Sequence, residues 1–278
     1  MTYQQFINEQ TIIIRNLNKE EQALRLLLMA NSGFDATQLY QHYQDEMPEA
    51  IRAKTLNDLH LYLYDNRPVQ YIIGYTYFYG LKILVNNCVL IPRPETELLV
   101  EEVLKRIGNC KPLKIIDVGT GSGAIALAVK TNYPDAEVIG IDISEAALEL
   151  AEKNAKLNKC DVRFIKSNLF ENIPDQYDIL ISNPPYIDQD DEIESIVKDN
   201  EPALALFAPK RGLFFYEEIF KDASRVLKSS HMLVLEIPEN KDEELKQLIE
   251  QYLPESIYEI LKDWNGNSRI LIISQQWR

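Results

Sequence analysis

The stretch Leu113-Lys114-Ile115-Ile116-Asp117-Val118-Gly119-Thr120-Gly121-Ser122-Gly123 decides the fold of this 278-residue chain. An apolar run of strand length ends in a glycine turn, and the turn opens the helical stretch predicted over 122–132. Glycines there permit a tight turn and close approach of backbone to a ligand. Working outward, the same unit recurs. Strands are predicted at 113–118, 136–141, 162–166, 178–182 and 231–237, with helices at 122–132, 144–157 and 213–228 between them. A helix at 241–252 and strands at about 256–262 and 268–275 finish the chain, the last pair turning through Asn265-Gly266-Asn267. This alternation predicts an α/β fold with a largely parallel, Rossmann-like sheet of seven strands. Ligands of such a sheet collect beyond the carboxyl ends of its strands, where strand order reverses.

Upstream, apolar residues recur at helical spacing up to about Leu63, as in Ala23, Leu24, Leu27, Leu28 and then Leu56, Leu59, Leu63. Asn31-Ser32-Gly33 breaks the second helix, Asp35 caps the third, and Pro48 opens the fourth just inside its start. A small helical domain over 1–70 follows, either a docking module for a large partner or a purely structural bundle. Past Asn66-Arg67-Pro68 the residues become β-branched and aromatic (Tyr71 to Ile73, Tyr75 to Tyr79) around Gly80, which predicts a β-hairpin linker over 71–90. Pro92 and Pro94 then hold an extended lead into a helix through Val100 and Leu104, the start of a catalytic domain spanning 91–278.

With 46% hydrophobic and 26% charged residues and no low-complexity tract, the composition is that of a folded globular protein rather than a disordered one. No apolar run is long enough to span a bilayer, and Met1-Thr2-Tyr3-Gln4-Gln5 lacks the start of a signal peptide, so no membrane association and a cytoplasmic location are expected. Cys88, Cys110 and Cys160 are far apart and without nearby histidines, which predicts unpaired thiols and no metal site. The net charge of -14 repels polyphosphates and no dense basic cluster offsets it, so nucleic acid is disfavoured as a direct partner.

The glycine turn has the spacing GxGxG, no P-loop lysine follows it, and Asp117 precedes it. That carboxylate repels a pyrophosphate but suits the ammonium of a methionine moiety, which favours S-adenosylmethionine over a dinucleotide. Asp142 closes the second strand, where an acidic side chain accepts from both ribose hydroxyls. Taken singly, the turn is also an ordinary helix start and Asp142 a helix cap. Together they make Asp117, Gly119, Thr120, Gly121, Ser122, Gly123 and Asp142 candidates for cofactor binding. Asn168 and Leu169, after the third strand, border the adenine ring in this reading, or form a plain surface loop.

The fourth strand runs into Asn183-Pro184-Pro185-Tyr186. Asn183 accepts a substrate N–H through its side-chain oxygen, and the prolines stiffen the loop and hold the backbone carbonyls outward as acceptors. Tyr186 lays its ring against a flat amide with its hydroxyl at the rim. Two acceptors on one NH2 predict methyl transfer to a planar nitrogen, with Asn183, Pro184 and Tyr186 as catalytic residues and Asn183, Pro184, Pro185 and Tyr186 as the substrate contacts. His42, His60 and His231 are read as structural.

The chain resembles the bacterial release factor glutamine methyltransferases along nearly its whole length. The resemblance rests on Arg67-Pro68-Val69-Gln70-Tyr71-Ile72-Ile73-Gly74, Phe78-Tyr79-Gly80-Leu81, Ile91-Pro92-Arg93-Pro94-Glu95-Thr96-Glu97, the glycine turn, Ser182 to Ile187, and Glu201-Pro202. The Pro-Arg-Pro-Glu-Thr-Glu segment discriminates best, because Asn-Pro-Pro-Tyr is shared with adenine N6-methyltransferases. The resemblance implies a seven-stranded S-adenosylmethionine-dependent methyltransferase domain preceded by helices and a hairpin, cofactor contacts that include Asn183, and S-adenosylhomocysteine as product. It also implies peptide chain release factors as the protein partner, methylated on N5 of the glutamine in Gly-Gly-Gln. A monomer is expected. Arg93 and Thr96 either help close the pocket or serve the start of the helix. The chain departs from the family pattern at Asn168, at Ala208-Pro209-Lys210-Arg211-Gly212-Leu213 and at Pro238. Alternatives are a ribosomal-protein glutamine as target, an adenine N6-methyltransferase, and a cofactor-binding protein without turnover.

Overall fold

The structure, a computed structural model, describes residues 1–108 and 113–277. They fall into two compact units, Met1–Tyr75 with Ile193–Asn200, and Thr76–Glu192 with Glu201–Arg278.

The first unit contains α1 (Tyr3–Asn16), α2 (Gln22–Ser32), α3 (Ala36–Gln41), α4 (Glu49–Leu63) and α5 (Val69–Ile73). Local sequence sets their ends. Thr2 and Asp35 form reciprocal capping boxes with Gln5 and Gln38, Gly33 ends α2 in the left-handed conformation, and Pro48 is the cap of α4 rather than its first residue. Phe6, Ile14, Leu24, Leu27, Leu28 and Leu59 are essentially inaccessible, and each contributes about 1.5–3 kcal/mol through burial. The buried face of α4 differs from the apolar spacing of its leucines: Leu56 is exposed, and Thr55, Asp58, Leu59 and Tyr62 turn inward. Asn31 makes that face tenable by donating to Thr55 Oγ1 at 3.2 Å and Asp58 Oδ2 at 2.9 Å. Tyr71 to Ile73, read from composition as part of the hairpin, are helical, because Pro68 and a left-handed Gly74 delimit one turn between them. A short helix absent from the sequence reading, Ser195–Lys198, belongs to this unit, where Asn200 Nδ2 donates to the carbonyl of Asn66 at 2.9 Å. It is numbered α9 below.

The second unit begins with the hairpin β1 (Tyr75–Phe78) and β2 (Leu81–Leu84), whose first residue lies at the unit boundary. A 3-10 turn at Pro94–Thr96 leads into α6 (Glu97–Ile107). Then come β3 (Lys114–Val118), α7 (Ala124–Asn132), β4 (Glu137–Asp142), α8 (Glu145–Leu157), β5 (Arg163–Lys166) and β6 (Tyr177–Ser182). After α9 follow α10 (Ala203–Leu206), α11 (Phe214–Val226), β7 (Leu227–Glu236), α12 (Asp242–Tyr252), β8 (Ile257–Lys262) and β9 (Ser268–Gln275). The sheet has seven strands in the order β5-β4-β3-β6-β7-β9-β8, parallel except for the antiparallel pairs of β9 with β7 and β8. Strand order reverses at β3, which pairs with β4 on one side and β6 on the other. β7 starts earlier than its apolar run, because Leu227 pairs with Tyr177 before the register shifts to Ile179 and Met232.

Strands β3, β4 and β6 are buried almost throughout, as parallel strands covered on both faces must be. Tyr216, Ile219, Phe220 and Ala223 of α11, with Leu245 and Ile249 of α12, join one core cluster with Leu180, Leu233 and Leu271 of the sheet. Asn154 of α8 is wholly buried and ties the hairpin to the glycine turn: it accepts from Leu84 N at 2.7 Å and donates to Leu84 O at 3.0 Å and Ser122 O at 2.9 Å. Cys88 and Cys160 are unpaired thiols, and Cys110 lies outside the described residues.

Candidate active site

The glycine turn leaves β3 at the reversal point with Gly119, Gly121 and Gly123 at φ of 71°, 54° and 81°. Two consecutive amides, those of Gly119 and Thr120, donate to the carbonyl of Ile141 at 2.9 Å each, which fastens the turn to the end of β4. At Gly123 an added Cβ would sit 3.1 Å from both Ala151 and the Phe164 ring, so that position backs onto α8. Asp117 is fully buried beneath the turn. Its Oδ2 accepts from Thr120 Oγ1 at 2.6 Å and Ala126 N at 3.3 Å, while Oδ1 is buried with no partner. Burial pushes its carboxyl up to about 7, against the pull of those hydrogen bonds.

A cavity of about 280 Å³ opens beside the turn. Gly119, Gly121, Asp142, Asn168, Leu169, Asn183, Pro184 and Pro185 line it, so the carboxyl ends of four strands, β3 to β6, meet there. Asp117, Thr120, Ser122 and Gly123 are not among the lining residues, and Asp117 supports the turn through Thr120. Asp142 accepts from Gly121 N and Ser144 N at 2.9 Å each, one on each oxygen, which aims the carboxylate. Burial raises its pKa while those amides oppose the rise. A carboxylate so held, beside glycine backbone and the apolar Ile143 and Leu169, fits a nucleoside with a vicinal diol. Asn168 is exposed and donates to Glu171 at 2.8 Å, and Leu169 takes a left-handed φ of 46° and packs on the core.

The Asn-Pro-Pro-Tyr loop leaves β6 where Ser182 Oγ donates to Val118 O at 2.6 Å, locking it to β3. Asn183 Nδ2 donates to Thr96 Oγ1 at 3.2 Å, and Thr96 Oγ1 donates to Glu236 Oε2 at 2.7 Å. Thr96 and Glu236 are 4% and 2% exposed, which makes this a dry chain of hydrogen bonds behind the cavity. Burial raises the Glu236 pKa, opposed by the Thr96 hydrogen bond and by the Arg269 charge. Tyr186 differs from expectation. Its ring packs against the core and its hydroxyl points inward, 3.5 Å from Glu236 Oε1, instead of standing at the rim, and it does not line the cavity. Burial, then the Glu236 charge, push its hydroxyl up to about 12.

Beyond Tyr186 the chain is pinned by Ile187 N donating to Leu206 O at 3.0 Å and Ala208 N donating to Ile187 O at 2.9 Å. Gly212 abuts the Tyr186 carbonyl so closely that an added Cβ would lie 2.1 Å from that oxygen. Arg93 pairs with Glu201 Oε1 at 2.5 Å, and the other oxygen of Glu201 accepts from Ile91 N at 3.1 Å. Sequence reasoning gave no role to Glu201, Glu236, Leu204, Phe214 or Phe215, the last three of which line the cavity. Only the Glu201-Pro202 pair carried a signal. Among the described residues no cluster of His, Cys, Asp and Glu could hold a metal ion, and no helix is long and apolar enough to cross a membrane. His42 and His231 make local contacts, with Asp45 and the carbonyl of Lys228, and His60 lies against Tyr64.

The family described as PrmC N-terminal domain matches residues 12–74 and that described as Methyltransferase small domain matches residues 94–205. The release factor glutamine methyltransferase of Streptococcus pneumoniae is 39% identical, over 97% of both chains. That of Enterococcus faecalis is 36% identical over 97% of this chain and 98% of its own. Among solved structures, a methyltransferase from Pyrococcus furiosus matches with a TM-score of 0.55 and 20% identity, covering 72% of this chain and 90% of that one. The T. thermophilus 16S rRNA N2 G1207 methyltransferase, in complex with AdoMet and guanosine, matches at 0.53 and 17%, covering 72% and 49%. At such identity the structural matches establish the methyltransferase fold, while the relatives align from end to end. The chain is a methyltransferase and belongs to the release factor glutamine methyltransferase family.

Proposed function

We propose that the protein methylates the side-chain amide nitrogen of the glutamine in the Gly-Gly-Gln motif of peptide chain release factors, with S-adenosylmethionine as donor. The observation that carries this reading is the orientation of Asn183: with an amide hydrogen fixed on Thr96 Oγ1, the side chain meets a ligand through Oδ1. Beside it the Pro184 carbonyl stands on a loop stiffened by two prolines. Two oxygen acceptors grip one NH2 group and reject a hydroxyl or carboxylate, which lack two donors.

When bound, S-adenosylmethionine supplies an electrophilic methyl group on sulfur. Asp142 accepts from its ribose hydroxyls, the backbone of Gly119 and Gly121 faces its methionine end, and Ile143 and Leu169 flank the adenine. An amide nitrogen is a weak nucleophile, and the residues of this site act by alignment. Holding both hydrogens on Asn183 and Pro184 directs the nitrogen lone pair away from its own carbonyl, and fixing the reactants in line contributes about 7–11 kcal/mol. The proton leaves late to water, and no histidine lines the cavity to take it. The helical unit provides docking surface for the release factor, and the cytoplasm is where that partner is met.

The test is incubation with labelled S-adenosylmethionine and a release factor, the same factor with its motif glutamine changed to alanine, and ribosomal proteins. Label is expected on the first alone, and Asn183→Ala is expected to abolish it. Labelling confined to a ribosomal protein overturns the assignment of target, and undiminished activity of Asn183→Ala overturns the assignment of site.

A further inference from the structure

We propose that Thr96 and Glu236 are positioning residues that set which end of the Asn183 amide faces the substrate. This rests on the reading above, in which the Asn183 oxygen accepts from the substrate NH2.

A threonine hydroxyl has one hydrogen to give. Thr96 Oγ1 lies 2.7 Å from Glu236 Oε2 and 3.2 Å from Asn183 Nδ2, so it donates to at most one of them and accepts from the other. An ionised carboxylate only accepts, and both oxygens of Glu236 face hydroxyl donors, Oε2 that of Thr96 and Oε1 that of Tyr186 at 3.5 Å. The Thr96 hydrogen therefore points to Glu236, and its lone pairs point to Asn183. Only the NH2 end of Asn183 can answer a lone pair, so Oδ1 is turned toward the cavity.

Without the carboxylate, the hydroxyl could donate to Oδ1 as readily as accept from Nδ2, and the amide would settle either way round. Reversed, Asn183 would meet the substrate NH2 with N–H against N–H. Direction in this relay is thus transmitted from a group that never touches substrate, 140 residues from Thr96 in sequence. Tyr216 holds the far side by donating to the Glu236 backbone carbonyl at 2.8 Å, which fixes the carboxylate stem.

Glu236→Gln tests this, because an isosteric amide can donate to Thr96 and so reverse the relay. With a release factor as acceptor and labelled S-adenosylmethionine as donor, kcat is expected to fall about 100-fold, the loss that follows from misplacing a positioning group. The dissociation constant of S-adenosylmethionine is expected to stay within about threefold of the original, since Glu236 lies outside the cavity lining. Thr96→Val should reproduce the kcat loss and Thr96→Ser should restore activity. Combining Thr96→Val with Glu236→Gln should cost no more than either alone, the non-additivity of a single relay.

Full activity of Thr96→Val, or additive losses in the double variant, overturns the proposal, and the Thr96 pair decides even if Glu236→Gln does not fold. Loss of activity in Asn183→Ala alongside full activity in Thr96→Val defeats the relay alone. Full activity in Asn183→Ala defeats the reading of the site and the relay with it.

Discussion

Replacing Gly212 by alanine is expected to damage the site from a position outside the cavity. Two separate costs can be worked out there. Gly212 has φ of +85°, a conformation that costs an L-residue about 1–2 kcal/mol. The new methyl would also lie 2.1 Å from the Tyr186 carbonyl oxygen and 3.0 Å from its carbon, and both are backbone atoms that no rotamer change can move. Overpacking of this kind costs about 1–3 kcal/mol, so the sum is about 2–5 kcal/mol out of a typical stability of about 5–15 kcal/mol. Gly80→Ala separates the terms: φ there is +79° and nothing lies within 4 Å of the added Cβ, so only the backbone cost of about 1–2 kcal/mol applies. Urea unfolding of the two variants should show Gly212→Ala worse by about 1–3 kcal/mol. If the loop yields instead, Tyr186 and the adjoining Pro184 carbonyl shift, and kcat should fall by about 100-fold while Gly80→Ala stays active. Equal stabilities together with equal activities would refute the reasoning.

The remaining predictions concern charge and backbone strain. The Asp117 carboxyl, moved by burial from its ordinary 3.8 up to about 7, holds a proton in the folded state that the unfolded chain has released. Its stabilising contribution is therefore complete below about pH 4 and lost as pH rises through about 7. Between about pH 5 and about pH 8 the ligand-free protein should lose more stability than its Asp117→Asn variant, and parallel pH profiles in denaturant unfolding would contradict this. Lys210 and Arg211 occupy the left-handed region at φ of 57° and 54° just before Gly212. Arg211→Asn, a residue that tolerates that region, should add about 0.5–1 kcal/mol in thermal or urea unfolding, and a loss of stability would count against strain there.

The sheet is legible in the sequence because its central strands carry apolar runs such as Ile115-Ile116, Val138-Ile139 and Ile179-Leu180-Ile181 between turn and helix signals. The predicted strand at 231–237 falls short of β7 because Lys228-Ser229-Ser230 look like a loop, although Leu227 already pairs with Tyr177. In α5, Tyr71-Ile72-Ile73 carry strand-forming side chains, and the helix-delimiting Pro68 and Gly74 outweigh that preference. At the site, what is contiguous in sequence was legible: the turn after β3, Asp142 at the end of β4, and the loop after β6. What depends on tertiary pairing was not. Nothing in the sequence brings Thr96 to Asn183 across 87 positions, or a carboxylate at the end of β7 beneath both. The inward hydroxyl of Tyr186 is hidden from the sequence for the same reason, since it faces Glu236, 50 positions away.

Asn154 bears on how a large protein substrate could influence the pocket. By meeting both backbone groups of Leu84 and the carbonyl of Ser122 with one planar amide, it acts as a strut between the second hairpin strand and the glycine turn. A displacement of β2 is thereby coupled to the glycine turn through one buried amide.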